Sequence, residues 1–370
     1  MSTRLTTTQP AAATPLDHFD AQLDRIFLSR QHPISGLMPA STAHTVHGNY
    51  SDAWVRDGVY TVQAIWAMAI AWRRQGGRPQ RVYELEQSVL SLMRGLLRSM
   101  MGQAHKVERF KASQDPLDAL HAKYDTASGQ PVVADNAWGH LQLDATALFV
   151  LQLAQLTRSG LVVVANQPQA AFLQNLIFYL SRAYRVADYG IWERGDKGNN
   201  GAPERNASSI GLVKAALEAA SGLDPFGPQG DGRQRLWVPP DAVMRMRRSL
   251  EALLPRESAS KEVDSGCLPV VGYPAFAVEQ PELRQRTLAA IRRHLGGQYG
   301  YARFRRDGHQ TVVEDSSRLH YEPEELACFE HLECQWPLFL AFELVSACLE
   351  ERWDEARDLD LRLRLSLIHI

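Results

Sequence analysis

Apolar residues recur at three- and four-residue spacing through most of the chain, the signature of helices that bury one face. The segments with this period run over 16–30, 59–74, 82–101, 140–156, 169–185, 210–220, 241–254, 282–295 and 337–350. Strand signal is scarce. Gly160-Leu161-Val162-Val163-Val164-Ala165 is the clearest extended run, and it either forms a strand or joins two helices. Between the helical segments lie stretches rich in Gly, Pro, Asp and Asn, notably 195–206 and 223–240, which mark turns and non-helical excursions. Helices alternating with such loops predict stacked helical hairpins. No short exact repeat is visible, so a solenoid of near-identical units is not supported, whereas a closed ring of helix pairs remains open. In such a ring the loops at one end of the inner helices converge on a central pocket.

Composition narrows the partners. With 370 residues, 45% of them hydrophobic, the chain can bury a large core as one big domain or two smaller ones. Forty basic against 42 acidic residues leave a net charge of -2, so no global field attracts nucleic acid or an anionic membrane, and a neutral partner fits better. The four cysteines, Cys267, Cys328, Cys334 and Cys348, lack the Cys-x-x-Cys spacing of thiolate metal sites and redox pairs. The most apolar helix candidate, 59–72, contains Gln63 and is too short to cross a bilayer, so no membrane span is expected and the cytoplasm is the default. Residues 1–15 are rich in Thr, Ala, Ser and Pro without the apolar core of a secretory signal and are expected to be a disordered lead-in. The expected domain covers 16–357. Residues 358–370 form a doubtful tail, because Leu365-Ser366-Leu367-Ile368-His369-Ile370 reads as a translated sequencing adapter, and the chain is expected to be a truncated fragment.

Four clusters carry candidate chemistry. In Asp188-Tyr189-Gly190-Ile191-Trp192-Glu193-Arg194-Gly195 a carboxyl group stands beside an indole in a segment that cannot continue as helix. Desolvation against an aromatic ring raises a carboxyl pKa, which suits Glu193 to a general acid; the plain alternative is a core Trp192 and a solvated Glu193. Tyr50-Ser51-Asp52-Ala53-Trp54-Val55-Arg56-Asp57 ends in an Arg fork and an acceptor that suit vicinal hydroxyls of a sugar, while Asp57 also suits the N-cap of a helix starting at Gly58 or Val59. In Asp135-Asn136-Ala137-Trp138-Gly139-His140-Leu141-Gln142-Leu143-Asp144, Gln142 and Asp144 are two positions apart. Within a helix they diverge by about 200°, so both face one pocket only where the helix has just begun; Asp144 equally suits a first-turn acid. His140 has no second ligand at i+3 or i+4, and no metal is expected. The stretch 298–337 holds the densest mixture of carboxylates and arginines, either a solvated salt-bridged surface or, since Phe329 and Trp336 interleave with Glu330 and Glu333, a carboxylate at an apolar border. Nucleotide, phosphate-loop, nucleophile-elbow and zincin motifs are absent, and no cofactor is expected.

Read in order, Ser29-Arg30-Gln31, Gly36-Leu37-Met38-Pro39-Ala40-Ser41, Asp52-Ala53-Trp54-Val55-Arg56-Asp57, Trp138-Gly139-His140-Leu141-Gln142-Leu143-Asp144-Ala145, Gly190-Ile191-Trp192-Glu193-Arg194-Gly195, Asn206-Ala207-Ser208-Ser209-Ile210-Gly211, Leu254-Pro255-Arg256-Glu257-Ser258, Tyr273-Pro274-Ala275-Phe276-Ala277-Val278 and Glu333-Cys334-Gln335-Trp336-Pro337-Leu338-Phe339 form one pattern. It resembles the glucoamylase-like domain of the phosphorylase kinase alpha and beta regulatory subunit family, related to glycoside hydrolase family 15, from Leu16 to about Trp353. The resemblance implies an all-α (α/α)6 toroid. It implies inverting exo-hydrolysis of α-glucans or maltooligosaccharides, with an acid and a water-holding base roughly 6.5–9.5 Å apart. Glu193 is similar to the family's acid, Arg56 and Asp57 to the pair gripping the non-reducing glucose, and Arg303 to an arginine on the same sugar. Trp54, Trp138 and Trp192 offer stacking faces, and Gln142, Asp144 and Arg194 complete the sugar-binding set. The base is Glu330 or Glu333, whose spacing to Trp336 departs from the hydrolase pattern. In the animal regulatory subunits the domain serves control of a kinase, and the fold alone does not imply turnover. The alternative is therefore a non-catalytic regulatory subunit that senses oligosaccharide and binds a kinase or glycogen enzyme. Calmodulin contact and lipid anchoring belong to later regions of those subunits.

Overall fold

The computed structural model describes residues 14–42, 44–45, 48–193, 202–315, 317–318 and 320–368. Helix α1 (Pro15–Ile26) starts at a reciprocal cap: Asp17 N donates to Thr14 Oγ1 at 3.3 Å and Thr14 N donates back to Asp17 Oδ2 at 2.8 Å. Thr14 and Pro15, assigned to the lead-in from sequence, are thus the cap and first turn of a helix. Two short antiparallel pairs follow, β1 (His44–Thr45) with β2 (Gly48–Asn49) and β3 (Ala53–Trp54) with β4 (Lys123–Tyr124). The second pair fixes the entry to α2 (Val55–Gln75), because Val55 N donates to Ala122 O at 2.9 Å. The helix therefore begins before Gly58. Asp57 is a first-turn acid and not the N-cap; Trp54 holds the cap position without a side-chain bond.

The remaining helices are α3 (Pro79–Met101), α4 (Ala104–Ser113), α5 (Leu143–Arg158), α6 (Gln167–Ala183), α7 (Ala207–Ala220), α8 (Pro240–Leu253), the single turn α9 (Leu268–Val271), α10 (Pro281–Leu295), α11 (Leu338–Leu349) and α12 (Trp353–Ile368). Burial sorts them into two layers. Helix α5 buries 14 of its 16 residues and α7 buries 12 of 14, so both are surrounded on all sides. By contrast α10 buries only Leu283, Thr287, Ile291 and Leu295, and α8 only Ala242, Met246 and Leu250, each a stripe at four-residue spacing. Helices α2, α5, α7, α9 and α11 form the inner layer, backed by α3, α6, α8, α10 and α12. Tyr60 on α2 meets Phe342 on α11 at 5.4 Å between ring centroids, which brings the first and last of these inner helices together. Apart from α4, which packs on α6, inner and outer helices alternate along the chain, so the inner ones run the same way and present their N-termini to one end.

Three segments were not foreseen as helix, the single turn α9 among them. In α4 only Val107 and Phe110 supply buried apolar side chains, too few for a visible stripe. In α12, which crosses the boundary drawn at 357, Arg362 Nη2 donates to Gly297 O at 3.1 Å. The run Gly160–Ala165 is an extended link between α5 and α6, held by Arg94, whose Nε and Nη2 donate to Val163 O at 3.0 Å and Val162 O at 2.9 Å.

Gly211 marks a close approach of two inner helices, since a Cβ there would lie 2.3 Å from Val270 Cγ1 on α9. The Gly211→Ala substitution is expected to destabilise the fold by about 1–3 kcal/mol through overpacking, read as a lower thermal midpoint. An unchanged midpoint would mean that α7 and α9 have room to part.

Candidate active site

The site is built where the N-termini of the inner helices meet the loops between them. Arg56, in the first turn of α2, is buried and spends its guanidinium on three acceptors from elsewhere in the chain. Its Nε donates to Asp144 Oδ2 at 2.6 Å and its Nη2 to Asp144 Oδ1 at 3.0 Å, a bidentate fork. The same Nη2 donates to Gln142 Oε1 at 3.1 Å, and Nη1 reaches Glu193 Oε1 at 3.2 Å. Helix α5 begins at Leu143 with Gln142 as its cap residue, so Gln142 and Asp144 straddle the helix start and both turn to Arg56. This is the condition that their spacing required.

Glu193 belongs to a non-helical segment held by close backbone contacts. Its φ of 73° is a left-handed conformation that a non-glycine residue adopts at a cost, one often met at functional sites. Gly139 permits the arrangement, since a Cβ there would lie 2.4 Å from Tyr189 Cγ and 2.5 Å from Glu193 O. Burial pushes the Glu193 carboxyl up from 4.5 to about 7; Arg56 opposes the shift and the neighbouring Asp57 adds to it. Burial likewise raises Asp57, against the pull of Arg56. Tyr60, one turn beyond Arg56, lies in the same field: burial raises its phenol and Asp144 adds to the effect. The pocket floor therefore holds more carboxyl groups than its one arginine neutralises, and Glu193 keeps its proton to near neutral pH.

Asp188 ties the floor together from behind. Its Oδ2 accepts from Leu143 N at 3.2 Å and Ser209 Oγ at 2.6 Å, and its Oδ1 from Asn206 Nδ2 at 2.8 Å, so one buried carboxylate joins the starts of α5 and α7. Burial raises it to about 6, with Ser209 and Asn206 opposing.

The aromatic residues divide into two groups. Trp54 and Trp138 lie 5.8 Å apart between centroids, with Tyr50 at 5.5 Å from Trp54 and the Lys123 ammonium at 5.4 Å over the Trp54 ring. Behind Trp138, His140 stacks on His121 at 3.6 Å and donates from Nε2 to Ala134 O at 2.9 Å, a structural role as expected. Trp192 belongs to the other wall: its Nε1 donates to Asp264 Oδ2 at 2.8 Å, the Arg303 guanidinium covers its ring at 4.8 Å, and Phe339 meets it edge-on at 6.0 Å. One face of Trp192 is thus already occupied. Arg303 also lies 5.6 Å from Phe304 and 5.8 Å from Trp336, and Nε and Nη2 bond Asp307 at 2.5 and 2.8 Å, leaving Nη1 free of that pair.

The two base candidates are engaged elsewhere. Glu330 accepts from Arg305 Nη2 at 2.8 Å and Arg306 Nη2 at 3.3 Å, which hold its carboxyl below the usual range. Glu333 accepts from Arg306 N at 2.7 Å. Among the described residues neither bonds to Arg56, Asp144 or Glu193. Arg194 lies outside the described residues. Sequence reasoning passed over Asp264, Asp307 and Tyr60; of these only Asp307, four residues after Arg303, carried a local charge-pair signal.

These features define a class, an all-α six-hairpin toroid of the glucoamylase type with a cluster of buried acids at one end. Solved structures share that fold: a glycosidase superposes with TM-score 0.67 at 17% identity, covering 94% of this chain and 81% of its own, and the glucoamylase from Saccharomycopsis fibuligera with TM-score 0.55 at 14% identity, covering 90% and 73%. The chain belongs to the glycosyl hydrolases family 15, whose family model matches residues 17–342. Phosphorylase b kinase regulatory subunit alpha, liver isoform, of Takifugu rubripes is 48% identical over 339 residues, 91% of this chain and 27% of that protein. The expected resemblance to the phosphorylase kinase regulatory subunits is borne out at this level. The chain spans about a quarter of the length of the curated relatives it matches. Among the described residues no helix is long and apolar enough to cross a membrane.

Two expectations follow from this electrostatic arrangement. Arg56→Ala leaves Asp144 buried without its partner and should destabilise the protein by about 3–5 kcal/mol in denaturant unfolding; a loss below about 1 kcal/mol would mean that water reaches and solvates Asp144. Because the Glu193 pKa is raised from 4.5 to about 7, its contribution to stability is full below 4.5 and is lost as pH rises through 7. Glu193→Gln removes that titration. The thermal midpoint of the variant should therefore rise relative to wild type across this window and run parallel to it above; a constant difference throughout would show that Glu193 titrates as in the unfolded chain.

Proposed function

We propose that this chain is the sugar-binding, glucoamylase-like domain of a regulatory subunit in a phosphorylase-kinase-type assembly. Its pocket holds the terminal glucose of an α-glucan or maltooligosaccharide, and occupancy is communicated to a kinase or glycogen-enzyme partner in the cytoplasm. The observation that carries the reading is the contrast between a well-built sugar floor and uncommitted base chemistry: Arg56, Gln142, Asp144 and Glu193 converge, while Glu330 and Glu333 are taken up by Arg305 and Arg306. Regulatory subunits among the relatives support it.

In this reading Arg56 and Asp57 grip hydroxyls of the non-reducing glucose, Arg303 contacts the same ring through its free Nη1, and Trp54 and Trp138 supply the stacking wall. One observation favours a second reading. A carboxyl group kept protonated to about 7 is what an inverting hydrolase needs to protonate the leaving oxygen, with Glu193 as acid and Glu333 or Glu330 as base once freed from its arginine.

Calorimetric titration with maltotetraose, paired with detection of released glucose by anomer-resolved NMR, separates the two. Binding heat without glucose release is expected. Release of β-glucose that Glu193→Gln abolishes would replace the regulatory reading with hydrolysis, and the absence of both heat and release would sink both.

A further inference from the structure

Beneath the pocket lies a second buried acidic centre. Asp264 is fully buried and uses both carboxylate oxygens: Oδ1 accepts from Gly266 N at 2.7 Å and Oδ2 from Trp192 Nε1 at 2.8 Å. The residue after it grips the opposite wall, since Ser265 N donates to Arg303 O at 2.8 Å and Ser265 Oγ to Ala302 O at 2.6 Å, while Asp264 itself pairs with Phe304 as an antiparallel bridge. Glu257 stands near enough to repel it, bonded to Ser208 N at 2.9 Å and Cys267 Sγ at 3.0 Å, and the Lys261 charge opposes that repulsion. An ionisable group in such a place is costly unless its acceptor capacity is used. Here half of that capacity is spent on the indole that precedes Glu193 in the chain and carries the Arg303 guanidinium on its face.

We propose that Asp264 is a positioning residue of the sugar pocket: with Ser265 it clasps the Trp192-Glu193 loop to the Arg303 segment, fixing the indole on which Arg303 rests and the register from which Glu193 projects. The proposal rests on the sugar-binding reading above for its consequence, and on the Asp264–Trp192 hydrogen bond for its structure. Asp264 touches no sugar in this scheme. It acts through Trp192.

Asp264→Asn tests it, because the amide is isosteric but offers a single acceptor oxygen to two donors, so either Gly266 N or Trp192 Nε1 faces an NH2 group. Leaving a buried donor unmatched should weaken maltotetraose binding about tenfold. In a Trp192→Phe background the indole donor is gone, the remaining oxygen serves Gly266, and the same substitution should change affinity by less than about twofold. Equal losses in both backgrounds, or a lowered melting midpoint with unchanged affinity, would assign Asp264 a merely structural part and overturn the proposal. A readout without sugar stands beside it: the Trp192 indole N–H, identified as the resonance missing in Trp192→Phe, should exchange with solvent at least about tenfold faster in Asp264→Asn. Unchanged exchange overturns the clasp. If wild type binds no maltooligosaccharide, only the sugar-binding reading falls, and indole exchange alone decides the role of Asp264.

Discussion

The Arg56 guanidinium is the interaction on which the rest of the site depends. It is a buried cation whose fork takes both oxygens of Asp144, the amide oxygen of Gln142 and an oxygen of Glu193, so two separate stretches of chain are fixed relative to α2 by one side chain. Burying such a group is tolerable only when its donors are matched, and the match here constrains where α5 may begin and where the Glu193 carboxyl must lie. Lysine could not do this, since a point charge lacks the planar fork.

The toroid explains why acids gather there. Inner helices running in one direction bring their N-termini, with unsatisfied N–H groups and positive dipole ends, to one mouth. Asp57 and Asp144 occupy first turns, Asp188 accepts from the start of α5, and Glu257 accepts from Ser208 at the start of α7. Each is locally reasonable. Together they exceed the cations available, and desolvation raises Asp188 to about 6, Glu193 to about 7 and Glu257 to about 8. Neutral hydroxyl donors are the partners that such a cluster can take at least electrostatic cost, because hydroxyls donate to carboxylates without adding charge.

How far the sequence disclosed this depends on chain distance. The long helices were legible because outer members such as α8 and α10 expose polar faces around a single apolar stripe. Helix α12 was hidden by the alternation of leucine and charge after Asp358, yet Ala356, Leu359 and Ser366 are buried at helical spacing. Neighbouring pairs, Trp192 with Glu193 and Arg56 with Asp57, could be read directly. The start of α2 was misplaced because the β3–β4 pairing that sets it joins segments about seventy residues apart. Asp264 was invisible for the same reason, as it lies 72 residues from the indole that it holds. No pattern in a single chain encodes such a contact.

Whether a glucoamylase-type pocket turns over or merely holds its sugar comes down to one water molecule and the group that orients it. An acid half of that chemistry would draw on the burial that raises the Glu193 carboxyl against the pull of Arg56. The base half needs a carboxylate free to accept from water, and ion pairs with adjacent arginines compete for the same lone pairs. Glu330 with Arg305 and Arg306, and Glu333 with the Arg306 backbone, are held in that competition on the surface side of the 298–337 segment. The Arg56–Asp144 fork and the Trp54–Trp138 pair stand apart from that exchange: among the described residues neither glutamate bonds to Arg56 or Asp144, so a change at Arg305 or Arg306 can alter the one without the other.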